Sequence, residues 1–291
     1  MPEAMDVPPG VVFAANLSTL FTHLPLVARP AAAAAAGFVA VEAWWPFVIA
    51  TPSDEDVEGF LAAVDAAGVR LVALNCFAGD MPSGDRGVVS MPGRSAEFRA
   101  SLDRLLRIAE RTGCTTFNAL YGTRVVGVPA AEQDEIATEN LVHAAARVAE
   151  VGGTIAIEPL TSGENGTYPI LTAQDALVVV GRARSAGAAN VSLLADLYHA
   201  SNNGDDPAEL LTRHAGDICH VQVADSPGRH EPGTGSLDFT AIWAALLDIG
   251  YAGYVALEYR PLADTVDGLA WLPESRRGHA PHSHHDTRST T

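Results

Sequence analysis

Four residues able to hold a metal ion stand at the ends of short apolar runs or within them. Glu158 follows Ile155-Ala156-Ile157, Asp196 follows Leu193-Leu194-Ala195, Gln222 lies in His220-Val221-Gln222, and Glu258 follows Ala256-Leu257. Three carboxylates and an amide oxygen form an all-oxygen donor set, which favours Mg2+ or Mn2+ over Zn2+. The surplus negative charge suits a substrate that chelates through hydroxyl and carbonyl oxygens. A metal that polarises a carbonyl acidifies the neighbouring C–H and stabilises the enediolate left when that proton departs. Glu158 and Glu258 fit the roles of paired acid and base, one taking a proton from one carbon and the other returning it to the next. A strand alternates its faces, so Gln222 could point outward while His220 points in. Spacing alone therefore leaves open which of the two faces the metal.

Further candidates surround these four. His199 lies three residues past Asp196, within reach of the same centre. Arg229 sits in Gly228-Arg229-His230-Glu231-Pro232-Gly233-Thr234-Gly235, where it could clamp a carboxylate or hold a hydroxyl. Gly233 and Gly235 allow close backbone approach there. Trp45, with Trp44 and Phe47, offers an apolar wall, or simply a packed aromatic cluster. Asn75, like Asn16 and Asn118, stands near an early strand end, placed to bind substrate or to cap a turn. A lone acidic residue at a strand end is ordinarily a cap or an ion-pair partner. Four in succession point jointly to a site.

The spacings between the four, 38, 26 and 36 residues, each leave room for a strand, a crossover helix and the next strand. The hydrophobic pattern supplies eight such pairs. Strands are expected at 11–16, 38–42, 71–75, 115–120, 154–158, 191–196, 218–223 and 254–258. Helices are expected at 24–36, 54–67, 96–111, 130–151, 172–186, 207–214 and 238–249, with a last one from about Asp264. Pro30 conflicts with the first helix and should kink or restart it. Count, order and length describe a (β/α)8 TIM barrel over residues 11–278, whose strand tips converge on one face. An open doubly wound sheet would not bring four polar strand ends together. Neither a Gly-x-Gly-x-x-Gly after the first strand nor a P-loop is present.

With 18 basic and 35 acidic residues the net charge is −17, which argues against nucleic acid and anionic membranes as partners. No apolar run approaches the roughly 20 residues of a membrane span. The first ten residues are acidic and Pro-rich, expected to be flexible, and lack the pattern of a signal peptide. This places the protein in the cytoplasm. Cys76, Cys114 and Cys219 have no metal-like spacing and read as reduced core residues. The segment 279–291, holding His279, His282, His284 and His285, reads as a disordered tail.

Several stretches carry a family resemblance. They are Phe13-Ala14-Ala15-Asn16-Leu17-Ser18, Gly37 to Glu42, Gly84-Asp85-Arg86-Gly87, Pro92-Gly93-Arg94 and Ile157-Glu158-Pro159-Leu160. Asp196-Leu197-Tyr198-His199, His220 to Asp225, Pro227 to Gly235 and Leu257-Glu258-Tyr259-Arg260-Pro261 complete the set. Together they resemble the hydroxypyruvate isomerase family of xylose-isomerase-like barrels. The resemblance implies a divalent metal on Glu158, Asp196, Gln222 and Glu258, Glu158 and Glu258 as acid and base, and His199 and Arg229 on the substrate. It supports Gln222 over His220. It implies interconversion of hydroxypyruvate and 2-hydroxy-3-oxopropanoate. Relatives that isomerise four-carbon oxo acids or epimerise ketoses keep those as alternatives, as does a retired, ligand-binding barrel. A homodimer or homotetramer is the assembly such relatives adopt. Trp44-Trp45-Pro46-Phe47, Cys76-Phe77 and Ala200-Ser201 depart from the usual pattern near the expected substrate pocket.

Overall fold

Parallel pairing runs from each strand to the next, and the last strand returns to the first, closing an eight-stranded barrel. The computed structural model describes residues 4–278. In order, the first half comprises β1 (Val12–Asn16), α1 (Arg29–Ala35), β2 (Ala40–Ala43), α2 (Asp54–Ala67), β3 (Arg70–Asn75), α3 (Ser95–Thr112), β4 (Thr116–Asn118) and α4 (Ala130–Ala149). The second half comprises β5 (Thr154–Ile157), α5 (Ala173–Ser185), β6 (Val191–Asp196), α6 (Leu197–Asn202), α7 (Pro207–Arg213), β7 (Ile218–Val223), α8 (Phe239–Asp248), β8 (Tyr254–Leu257), α9 (Thr265–Gly268) and α10 (Glu274–Arg277). The (β/α)8 expectation is met.

Local chemistry explains the punctuation. Ser53 with Asp56, and Thr172 with Asp175, form capping boxes that start α2 and α5. Gly68 and Gly113 end α2 and α3 in the left-handed conformation, at φ of +66° and +71°. Pro30 restarts the first helix rather than kinking it. A 3-10 turn occupies Leu26–Ala28, and α1 then begins at Arg29 with Pro30 in its first turn, where no backbone N–H is needed.

Alternation of period two sorts the strand residues. Val12 and Ala14 meet Ala40, Tyr254 and Ala256 on the barrel axis, while Phe13, Ala15, Val41, Val255 and Leu257 join the helices in the main core. Phe13 is met edge-on by Trp243 and Trp271, each with ring centroids 5.7 Å away. This axial cluster is apolar, and the layer above it, at the strand tips, is polar.

Part of the segment 4–10 touches the barrel. Val7 is buried, and the Met5 N–H donates to the Trp271 carbonyl at 2.8 Å. The His-containing segment 279–291 lies outside the described residues. Among the described residues no helix is long and apolar enough to cross a membrane. Cys76, Cys114 and Cys219 are free, and burial pushes each thiol up to about 12, far from a reactive thiolate.

Candidate active site

β5 and β8 stop at Ile157 and Leu257, so Glu158 and Glu258 are the first residues beyond their tips. Asp196 ends β6 and Gln222 is the penultimate residue of β7. All four are buried, and a dense network holds them. The Gln222 amide nitrogen donates to Glu42 Oε1 at 2.9 Å and Glu258 Oε2 at 2.6 Å. Asn16 Nδ2 donates to the same two oxygens, at 2.6 and 2.9 Å. Asn118 Nδ2 donates to Glu158 Oε2 at 2.6 Å. Asn16 also accepts from the Ser18 N–H at 2.8 Å, so it caps a turn and serves the site together.

Glu42, at the end of β2, is the member that the sequence reading did not pick out. It accepts from Asn16, Gln222 and His220, whose Nε2 lies 2.6 Å from Glu42 Oε2. Its signal was there to find, since Phe38-Val39-Ala40-Val41 is an apolar run ended by a carboxylate. His220 and Gln222 are two apart on one strand and therefore share the inward face, which corrects the geometry with Gln222 outward. His220 is taken up by Glu42 one layer below.

His199 follows directly from Asp196. Asp196 caps α6 through Oδ1, which accepts from the Tyr198 and His199 N–H groups at 2.9 and 3.3 Å. The His199 ring then comes to lie with Nε2 at 3.6 Å from Asp196 Oδ2 and 3.8 Å from Glu158 Oε1. On its far side the Thr161 backbone N–H donates to Nδ1 at 3.0 Å. A backbone N–H only donates, so Nδ1 is the acceptor and the proton of the neutral ring sits on Nε2, facing the site. Burial, with Arg229 adding to it and Asp196 opposing, brings His199 down to about 4, which keeps the ring neutral.

Arg229 reaches in from the loop after β7. Its Nη2 lies 3.1 Å from Asp196 Oδ2 and 2.5 Å from Glu258 Oε1, and its guanidinium stacks over the Tyr198 ring. Asp225 pins this loop. Its carboxylate accepts from the N–H groups of Ser226, Gly233 and Leu237 at 2.8, 2.8 and 3.1 Å. Gly235 is required, because a Cβ there would stand 2.4 Å from the Ser226 carbonyl oxygen. Arg229 itself holds φ of +58°, an uncommon value for a residue with a side chain.

A cavity of about 300 Å³ opens above these groups. Glu158, His199, Arg229 and Glu258 line it, with Trp44, Asn75, Leu120 and Leu160 as walls. Asn75 thus stands where the sequence placed it. Trp45 does not line this cavity. Its Nε1 donates to the Ile49 carbonyl and its ring packs on Phe47 and Phe77. Trp44 stands at the cavity instead, with Nε1 3.2 Å from Glu258 Oε2.

Burial, reinforced by the Asp196 charge, raises Glu158 to about 8 against the pull of Asn118 and Arg229. Burial likewise raises Glu258 well above the ordinary carboxylate range, outweighing the nearby Arg229. The charges of Asp196 and Glu42 add to the burial of Glu158 and Glu258, and a dication would relieve the repulsion among these carboxylates. The donor atoms agree. Gln222 spends its nitrogen on two carboxylates and leaves Oε1 buried without a partner among the described residues. Donor atoms of Glu158, Asp196 and His199 lie within 4.8 Å of one another. The protonated Nε2 makes His199 a donor, so oxygen ligands remain, as a hard divalent cation prefers.

Residues 30–275 match the family model described as xylose isomerase-like TIM barrel. A Streptomyces coelicolor protein provisionally named hydroxypyruvate isomerase is 46% identical over 269 residues, covering 91% of this chain and 96% of its own length. The chain belongs to the hydroxypyruvate isomerase family. Another relative of this family member, the 2-oxo-tetronate isomerase of Cupriavidus necator, is 34% identical over 89% of this chain and 96% of its own. A solved structure from Brucella melitensis, titled AP endonuclease, family 2, superposes with a TM-score of 0.81 at 34% identity, covering 95% of this chain and all of that one. Membership makes the protein an isomerase of the aldose–ketose type, an intramolecular oxidoreductase.

Proposed function

We propose that this protein interconverts hydroxypyruvate and 2-hydroxy-3-oxopropanoate, or a closely related small hydroxy-oxo acid, with Mg2+ or Mn2+ bound. The observation that carries the reading is the pair Glu158 and Glu258. Both are buried, both are held in a high-pKa environment, and both line one cavity from the tips of β5 and β8. A divalent ion held by Glu158, Asp196, Gln222 and Glu258 would supply polarisation of the substrate's hydroxyl and carbonyl oxygens.

The protein's own groups account for the proton movements. One glutamate takes a proton from C3 of hydroxypyruvate, leaving an enediolate across C2 and C3. The other delivers a proton to C2, while the O3 proton passes to O2. C3 becomes the aldehyde and C2 the carbinol, so atoms and electrons balance. The neutral His199 Nε2–H donates to the developing oxyanion, and its low pKa keeps it from being a competing base. Arg229 steadies Asp196 and Glu258 and adds positive charge beside the oxyanion. Trp44 and Leu160 keep the site apolar above.

Similarity to the Cupriavidus enzyme supports a second reading, isomerisation of a four-carbon oxo acid by the same residues. The endonuclease activity named in the Brucella title is disfavoured by the net charge of −17. The reduced, unpaired thiols accord with a cytoplasmic setting. The deciding experiment is proton NMR of hydroxypyruvate in deuterated buffer with Mg2+ or Mn2+, before and after chelation. Metal-dependent formation of the aldehyde, lost in Glu258→Gln, is expected. No turnover with metal bound would exclude hydroxypyruvate and transfer the reading to four-carbon acids.

A further inference from the structure

The carboxylate of a hydroxy-oxo acid needs a cation, and Arg229 is poorly placed to be that cation. Its guanidinium already faces two carboxylates, Asp196 and Glu258, and is buried against Tyr198. Two other arginines line the cavity, Arg86 and Arg260. Arg260 is exposed, and no side-chain hydrogen bond or ion pair fixes it among the described residues.

Arg86 is built differently. It lies in the loop between β3 and α3, half-buried, and is fixed through Nε and Nη1 of its guanidinium. Nε donates to Asn165 Oδ1 at 2.9 Å, and Nη1 donates to the carbonyls of Met81 and Asp85 at 3.1 and 2.7 Å. All three acceptors are neutral. The nearest acidic side chain in sequence, Asp85, is committed elsewhere, to Arg94 at 2.7 Å and to the Asp80 N–H at 2.8 Å. Among the described residues Arg86 therefore makes no ion pair, and its Nη2 makes no hydrogen bond. A guanidinium held rigid by neutral acceptors, half out of water and lacking a counter-ion, is preorganised for an anion that arrives from solution. Asn165 joins it at the cavity wall, and the Asn165 amide is itself oriented by the Thr161 carbonyl at 3.1 Å. Thr161 is the residue that holds His199, so the anion pole and the reacting end share one scaffold.

We propose that Arg86, with Asn165, receives the substrate's carboxylate and so selects acids over neutral sugars, while Arg229 serves the reacting end. This rests on the function proposed above. Its test separates the two by measuring binding as well as turnover. The probes are glycerate, which carries the carboxylate and cannot isomerise, and glycerol, its neutral counterpart. Both are titrated calorimetrically into the Mn2+-loaded protein. The wild type should bind glycerate at least tenfold more tightly than glycerol. Arg86→Met should erase that preference, a loss on the order of 10- to 100-fold for one charge-assisted pair. Arg86→Lys should restore part of it. For hydroxypyruvate, Arg86→Met should raise KM by a similar factor and change kcat less than threefold, a split that mere loosening of the loop would not produce.

The proposal falls if Arg86→Met keeps the preference for glycerate, or if Arg260→Met rather than Arg86→Met removes it. It falls equally if Arg86→Met weakens both probes alike, which would mark Arg86 as a tether of the two loops. If glycerate binding depends on Arg86 while hydroxypyruvate is not turned over, the anion pole stands and the proposed reaction fails.

Discussion

Glu42→Gln tests whether the barrel orients the Gln222 amide for the proposed cation. Glu42 accepts three N–H groups, from Asn16 and Gln222 on Oε1 and from His220 on Oε2. A glutamine at 42 offers one acceptor oxygen. With that oxygen toward Asn16 and Gln222, its NH2 faces the His220 Nε2–H, donor against donor. With the amide reversed, two donors oppose one. Either arrangement weakens at least one buried bond to a charged acceptor, about 1.5–3 kcal/mol. The consequence at the site is of similar size and can be read separately. Gln222 keeps its nitrogen away from a cation because Glu42 and Glu258 both draw it, and without the Glu42 charge the amide is free to turn. Loss of such an orienting partner typically weakens metal affinity by about 10–100-fold, or about 1.4–2.7 kcal/mol. The assay is Mn2+ titration followed by electron paramagnetic resonance, with circular dichroism to confirm the fold. Glu42→Asp keeps the charge and shortens the reach, so an effect of orientation appears in both variants and one of charge alone only in Glu42→Gln. Gln222→Ala sets the scale. Mn2+ affinity within twofold of wild type in Glu42→Gln, beside a large loss in Gln222→Ala, would refute the reasoning.

Three further outcomes are expected. Glu158→Gln and Glu258→Gln should each lower kcat by at least 10²–10⁴-fold, the usual range for a positioned acid or base, with circular dichroism unchanged; substantial turnover in either would remove that residue from the proton path. Trp44→Phe deletes the indole donor to Glu258 and should cut kcat/KM about tenfold, in line with one bond to a charged acceptor, whereas Trp45→Phe should stay within twofold; steady-state kinetics compares them. Asp134 lies away from the site. Its burial raises the carboxyl, but the hydrogen bonds from Tyr121, Arg182 and Arg124 outweigh that and hold it below the ordinary range. A depressed folded pKa gives stability that is present above the unfolded value near 4 and is lost as pH falls through the folded one. Melting temperatures should therefore fall more steeply in acid for the wild type than for Asp134→Asn, and equal slopes would discount the cluster.

What was legible from sequence, and what was not, follows from how far away each residue's partners lie. The barrel could be read because each strand and helix carries its own start and stop, such as Ser53 and Gly68 around α2. Glu158, Asp196, Gln222 and Glu258 could be read because a polar residue ending a buried strand must face the strand tips, whatever surrounds it. Glu42 obeys the same rule and was legible in principle. The short helix α6 was not, since six residues leave no period to detect and its cap, Asp196, had already been assigned to the metal. The loop residues resist for a different reason. Trp44 and Trp45 are adjacent and chemically identical. What turns Trp44 toward the cavity is a bond from its backbone N–H to Ser18 Oγ, 26 residues earlier. Arg86 is held by Asn165, 79 residues later, in a contact that no local pattern announces. A strand confers direction on its residues through the pleat alone. A loop residue acquires direction from whichever distant partner binds it, so the polar layer at the strand tips can be read locally while the orientation of the cavity's loop residues cannot.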